Sequence, residues 1–123
     1  MDNTITVVGT LGRDPEIKFT NGGGAKASWS MAVTRRWKDQ SGEQQEQTSW
    51  VNVVAWGQLA ENCAASLAKG NRVIVSGRLE QRSYEKDGEK KDWVEVVADA
   101  VGPDLRFATA EVVRAERREA VDY

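Results

Sequence analysis

The stretch SWVNVVAWGQLAENCAASLAKGNRVIVSGRLEQRSY, residues 49–84, changes its hydrophobic period twice, and those changes decide the fold. Over 49–55, Val51, Val53 and Ala55 alternate with Trp50, Asn52, Val54 and Trp56, the period of a half-buried strand. Over 58–68 the recurrence lengthens to four. Leu59, Cys63 and Leu67 line up, alanines fill the gaps, and Gly70 stands as a C-cap, so this segment predicts a short amphipathic helix. Over 72–84 alternation returns, with Val73, Val75 and Leu79 on one side and Ser76, Arg78, Arg82 and Tyr84 on the other.

Upstream, 4–11 is a strand ended by Gly12 and the turn-forming pair Asp14-Pro15, and 16–20 is a short extended piece. Asn21-Gly22-Gly23-Gly24 is a turn that needs positive φ. Residues 26–36 alternate clearly, Ala27, Trp29, Met31 and Val33 against Ser28, Ser30, Thr34 and Arg36. The polar stretch 38–47 lacks periodicity and predicts a mobile hairpin tip. Downstream, Asp87-Gly88 closes a hairpin into a last strand over 93–100. Five strands with one helix between the third and fourth is the order of the OB-fold, a five-stranded Greek-key barrel in the all-β class. Gly9, Gly57 and Gly77 fall where such a barrel bends sharply. The expected division is a barrel domain over 1–107 and a C-terminal extension over 108–123. In that extension Leu105, Phe107 and Val112-Val113 suit an inter-subunit clamp, and the charged run beyond them suits a frayed end.

The chain's 123 residues suit a single core, and 40% hydrophobic with 29% charged residues are globular values. No histidine is present and Cys63 is the single cysteine, which excludes an intrachain disulfide, a Ser-His or Cys-His nucleophile pair and a His metal ligand, and makes Cys-based metal sites implausible. Gly22-Gly23-Gly24 lacks the Lys-Ser/Thr and helix of a phosphate-binding loop. The expectation is therefore a protein that is not an enzyme and carries no cofactor. No signal peptide precedes Ile5 and no apolar run is of spanning length, so a cytoplasmic protein is expected.

Five tryptophans are many for this length. Trp29 belongs to the core by parity. Trp50, Trp56 and Tyr84 fall on outward faces beside cations, where the bland reading is packing under a loop or at a subunit contact. Three such rings on adjacent strands favour stacking of unpaired bases instead. Trp37 lies on the core face by unbroken parity and reaches the outer face only if the strand bulges or ends near Arg35. Its charged neighbours argue for water. Trp93 shares parity with Glu95 and Asp99 and is ambiguous. The net charge of −2 counts against a nucleic-acid partner. Locally, however, Arg35, Arg36, Lys38, Lys69, Arg72, Arg78, Arg82 and Lys86 are candidates for a phosphate track, although a solvated face is the usual fate of such charges.

Val7-Val8-Gly9-Thr10-Leu11-Gly12-Arg13-Asp14-Pro15-Glu16 resembles the opening of bacterial single-stranded DNA-binding proteins. So do Arg36-Trp37-Lys38-Asp39, Thr48-Ser49-Trp50, Val54-Ala55-Trp56-Gly57-Gln58-Leu59-Ala60-Glu61 and the run from Lys69 to Leu79. The residues from Val101 to Ala110 look like the actinobacterial branch. The resemblance implies an OB-fold homotetramer that coats single-stranded DNA without sequence specificity in replication, recombination and repair. It places the family's stacking rings on Trp37, Trp50, Trp56 and Tyr84, and family basic positions on Lys69 and Arg82. Asn52, Gln58 and Glu80 stand where well-known members are basic, and Val51 where some carry an interface histidine. The acidic, partner-recruiting tip of the family is not matched by Ala120-Val121-Asp122-Tyr123. The alternative is an OB-fold protein-interaction or regulatory subunit of a replication-restart complex.

Overall fold

A computed structural model describes residues 3–115 of the chain. Its elements are β1 (Ile5–Leu11), β2 (Glu16–Phe19), β3 (Ala25–Lys38), β4 (Gln44–Trp56), α1 (Gly57–Ser66), β5 (Arg72–Lys86) and β6 (Glu89–Pro103). The strands follow the order β1-β5-β6-β4-β3-β2, and β1 also pairs with β3 through Thr10–Ala32 and Leu11–Met31. That second pairing closes β1, β5, β6, β4 and β3 into a barrel, and β2 is a flap on β3. The parallel contact of β4 with β6 covers Asn52–Glu95 to Val54–Val97 and completes the ring. This is the OB-fold expected from the order of periods.

The core forms because inward positions carry compact apolar side chains. Trp29, Leu11, Met31, Val53, Val73, Val75 and Val96 are fully buried. Helix α1 covers the barrel by burying Ala60 and Cys63, with Leu59 and Leu67 packed at the margin. It ends earlier than Gly70: Leu67 caps it, its N–H donating to the Cys63 carbonyl, and Gly70 lies in the following turn at φ 91°. Burial pushes the Cys63 thiol up to about 11. It therefore stays protonated at neutral pH. Native protein should react slowly with an aromatic disulfide reagent and rapidly once denatured. Fast labelling of the folded chain would contradict the burial.

Two strand pairs run past the barrel. β3 and β4 stay in register from Lys26–Trp56 to Lys38–Gln44, so the tip is only residues 39–43, shorter than 38–47. Asp39 organises it: one carboxylate oxygen accepts the Ser41 N–H, the Ser41 hydroxyl and the Glu43 N–H, and the other accepts from the Gln45 amide. These bonds, the Ser41 hydroxyl first, hold the Asp39 carboxyl below its ordinary value. Strand periodicity was invisible here because both faces of the projecting arm meet water. The same geometry leaves Leu79 half-exposed, although it lies on the core side of β5.

The β5–β6 hairpin closes through Asp87 and Gly88, both at positive φ. It runs from Lys86–Glu89 back to Val73–Pro103, longer than 93–100. One irregularity interrupts it: Ser76 pairs with Ala100 and Gly77 with Ala98, which leaves Asp99 as the extra residue of a bulge. Trp93 and Glu95 therefore share a face that Asp99 leaves.

Candidate nucleic-acid interface

Cross-strand partners share a face, so the pairings define one continuous outer surface across β3, β4, β6 and β5. Trp50 pairs with Ala32 and Trp56 with Lys26. Asn52 and Val54 pass the face to Glu95 and Val97, and Glu95 passes it to Glu80. Trp50 (64% exposed), Trp56 (44%) and Tyr84 (46%) all stand on it. The outward parity of these three rings therefore corresponds to open rings. Val54 lies on the same face yet is buried.

Each ring is held by local structure. The Trp50 indole lies against Gly12, where an added Cβ would come within 2.6 Å of its ring, so Gly12 makes room for the indole. Trp56 occupies the N-cap of α1, φ −123° and ψ 153°, with no side-chain cap bond. A Ser, Thr, Asp or Asn there would stabilise the helix by about 1 kcal/mol. An indole in that place breaks a local rule, which is characteristic of binding positions. The Lys26 ammonium lies 5.4 Å from the Trp56 ring centroid. Lys26 was missed in sequence because its relation to Trp56 is set by the β3–β4 register.

Trp37 differs. With no register shift in β3, it stays on the Trp29 side of the strand, opposite to the face of Trp50 and Trp56. No bulge or early end rescues it; it reaches water (38% exposed) because the arm has left the barrel. Arg35 shares its side, the guanidinium carbon 4.5 Å from the indole centroid.

The candidate phosphate residues fall into groups. Arg36, Lys38, Arg78, Arg82 and Lys86 lie on the outer face by register. Three of these arginines meet acids: Arg36 Nε donates to Glu46 at 2.9 Å, Arg78 Nε to Glu80 at 2.7 Å, and Arg82 Nε to Glu95 at 2.6 Å. Glu95 is the one buried charged side chain among the described residues, 3% exposed at the centre of the face. Arg82 also approaches Glu80 at 3.7 Å. A guanidinium has five N–H donors, so these contacts orient the arginine without exhausting it.

Lys69 lies in the turn before β5, its N–H donating to Asp14. Arg72 sits at the far end of β5, bonded to Asp104 at 2.6 Å and 6.0 Å from the Phe107 ring centroid. Its hydrogen bond is the first cause holding the Asp104 carboxyl below its ordinary range. Ten residues of strand, roughly 33 Å, separate it from Arg82, so the structure does not bring Arg72 together with the rings. Among the described residues no group of three acidic, cysteine or histidine side chains suits a metal ion, and no helix is long and apolar enough to cross a membrane.

Comparison with known proteins agrees with the barrel fold. The chain is 50% identical over 119 residues to the single-stranded DNA-binding protein of Mycolicibacterium smegmatis, covering 94% of this chain and 72% of that one. It superposes on the Plasmodium falciparum SSB in complex with ssDNA with TM-score 0.75 and 29% identity, covering 83% and 92% of the two chains. The crystal structure of the small single-stranded DNA-binding protein from Streptomyces coelicolor gives TM-score 0.72 and 31% identity, covering 85% and 96%. The Single-strand binding protein family matches residues 2–104, most of the chain, and with the relatives in agreement the chain belongs to that family.

Proposed function

We propose that this protein binds single-stranded DNA without sequence preference, protecting it in replication, recombination and repair. The observation that carries the reading is the set of open rings, Trp50, Trp56 and Tyr84, on one continuous outer sheet face with cations around them. Trp37 adds a ring on the other side of the β3–β4 arm. Every base has a π-face and every phosphate a charge, so stacking plus cations gives affinity without a base code. Arg35, Arg36, Lys38, Arg78, Arg82 and Lys86 would take phosphates near the rings. Lys69 and Arg72, towards the far end of β5, would meet the strand only where it leaves that face. The acidic sum of the chain does not oppose this, because Glu46, Glu80 and Glu95 on the face are each paired with an arginine.

Assembly is part of the proposal. Ile5–Gly9 of β1 has β5 on one side and, among the described residues, no strand on the other. An open edge of this kind is suited to pairing with a second copy. Leu105, Phe107, Val112 and Val113 are exposed on an irregular segment, the composition of a clamp on a neighbouring subunit of a homotetramer. The charged end over 116–123 lies outside the described residues. The barrel over 1–107, the extension over 108–123 and a cytoplasmic, nucleoid-associated setting belong to the same proposal.

Titration with poly(dT) should quench the intrinsic tryptophan emission. The logarithm of the binding constant should fall linearly with the logarithm of salt concentration, by about 0.7 per phosphate neutralised. No quenching at low salt would remove the proposal and favour a protein-interaction role for the face.

A further inference from the structure

We infer that Trp93 is a base-stacking residue that joins Trp50 and Tyr84 on one sheet face. The inference rests on the nucleic-acid reading above. It adds a residue that neither parity nor resemblance had assigned.

Register places it. In the sheet, β6 lies between β4 and β5. The parallel pairing of β4 with β6 begins at Asn52 opposite Glu95. Trp50 and Trp93 each precede that pair by two residues, just beyond the paired stretch, so by alternation both point to its face. On the other side of β6, Trp93 pairs with Arg82, and Tyr84 is its diagonal neighbour. The Tyr84 and Trp93 rings meet edge to face, centroids 5.9 Å apart and planes inclined by 67°. Three strands thus each raise one aromatic ring on the same face, two of them in contact. A nucleotide chain running over that face from Trp50 to Tyr84 would meet Trp93 on the way.

The surroundings suit one nucleotide. A surface notch of about 510 Å³ is lined by Arg82, Ser83, Tyr84 and Trp93. Two rings at a steep angle leave a corner in which a base stacks on one and presents its edge to the other. Arg82, held by Glu95 and Glu80, brings a cation to the same corner. Trp93 itself is 46% exposed, as open as Tyr84.

The competing role is a staple: a cross-strand aromatic pair steadies a hairpin beyond the barrel whatever binds there. Substitution separates the two. Trp93→Leu keeps an apolar staple and removes the π-face; Trp93→Phe keeps both in smaller form. Stacking predicts that Trp93→Leu weakens dT oligonucleotide binding roughly tenfold while Trp93→Phe retains most of the affinity. The unaltered protein supplies a second readout, independent of any change in affinity. Its Trp93 indole N–H resonance, identified by its loss in Trp93→Phe, should shift during a dT titration. Unchanged affinity in Trp93→Leu together with an unmoved Trp93 resonance would overturn the inference and leave the wider reading standing. Failure of the unaltered protein to bind dT at all would remove both.

Discussion

Replacing Trp50 and Trp56 together with alanine should weaken binding of a dT oligonucleotide roughly a hundredfold or more. Each stacked base contributes about 1–3 kcal/mol, the range alanine substitution gives for single-strand binders in general, and 1.4 kcal/mol is a factor of ten. The fold should survive, because both rings are open and neither belongs to the buried core. The double variant should therefore melt within a few degrees of the parent. The slope of affinity against salt should also persist, since the cations remain. Removing one phosphate-contacting lysine should instead reduce that slope. Unchanged affinity in the double variant would show that the rings do not hold bases.

Gly77→Ala should have the largest effect on the fold itself. A Cβ at Gly77 would lie 2.0 Å from the Val97 carbonyl oxygen, 2.8 Å from its carbon and 2.9 Å from the Ala98 Cα. All three are backbone atoms of the paired strand, at the bulge where Asp99 is skipped, so no side-chain rotation relieves the clash. Forcing the strands apart there breaks the ladder next to fully buried Val75 and Val96. We expect a loss of about 3–5 kcal/mol, in the range of severe core defects, and a fall in melting temperature of roughly 10–20 °C. Gly22→Ala is the matching control, because nothing lies within 4 Å of its Cβ, and it should change stability by less than about 0.5 kcal/mol. Equal melting of the two variants would contradict the described bulge.

Much of this molecule could be read from the order of its residues, for identifiable reasons. Barrel strands and helix announced themselves because each has one wet and one dry face, and so a period. The arm over β3 and β4 beyond the barrel has two wet faces and therefore no period, which is why 44–47 reads as loop in the sequence. Parity put Trp37 on the Trp29 side and was correct about the strand. It could not show that this side opens to solvent once the arm leaves the core.

Partners across strands were the other blind spot. Lys26 beside Trp56, Glu95 beneath Arg82 and Trp93 between Trp50 and Tyr84 all depend on register, and β4–β6 is a parallel contact between strands separated by a helix and a strand. Arg72 shows the converse. It shares the parity of Arg82 and Tyr84, but position along β5 decides its company, and there it meets Asp104.

If open indole and phenol rings receive unpaired bases, the protein must tell a single strand from a duplex. A single-stranded oligonucleotide and a duplex of the same sequence, titrated at the same salt concentration with tryptophan emission as signal, test it most directly. Base stacking on these rings should give strong quenching and tight binding for the single strand, and weak, unquenched binding for the duplex, whose bases are already stacked. Equal affinity and equal quenching for both would contradict it.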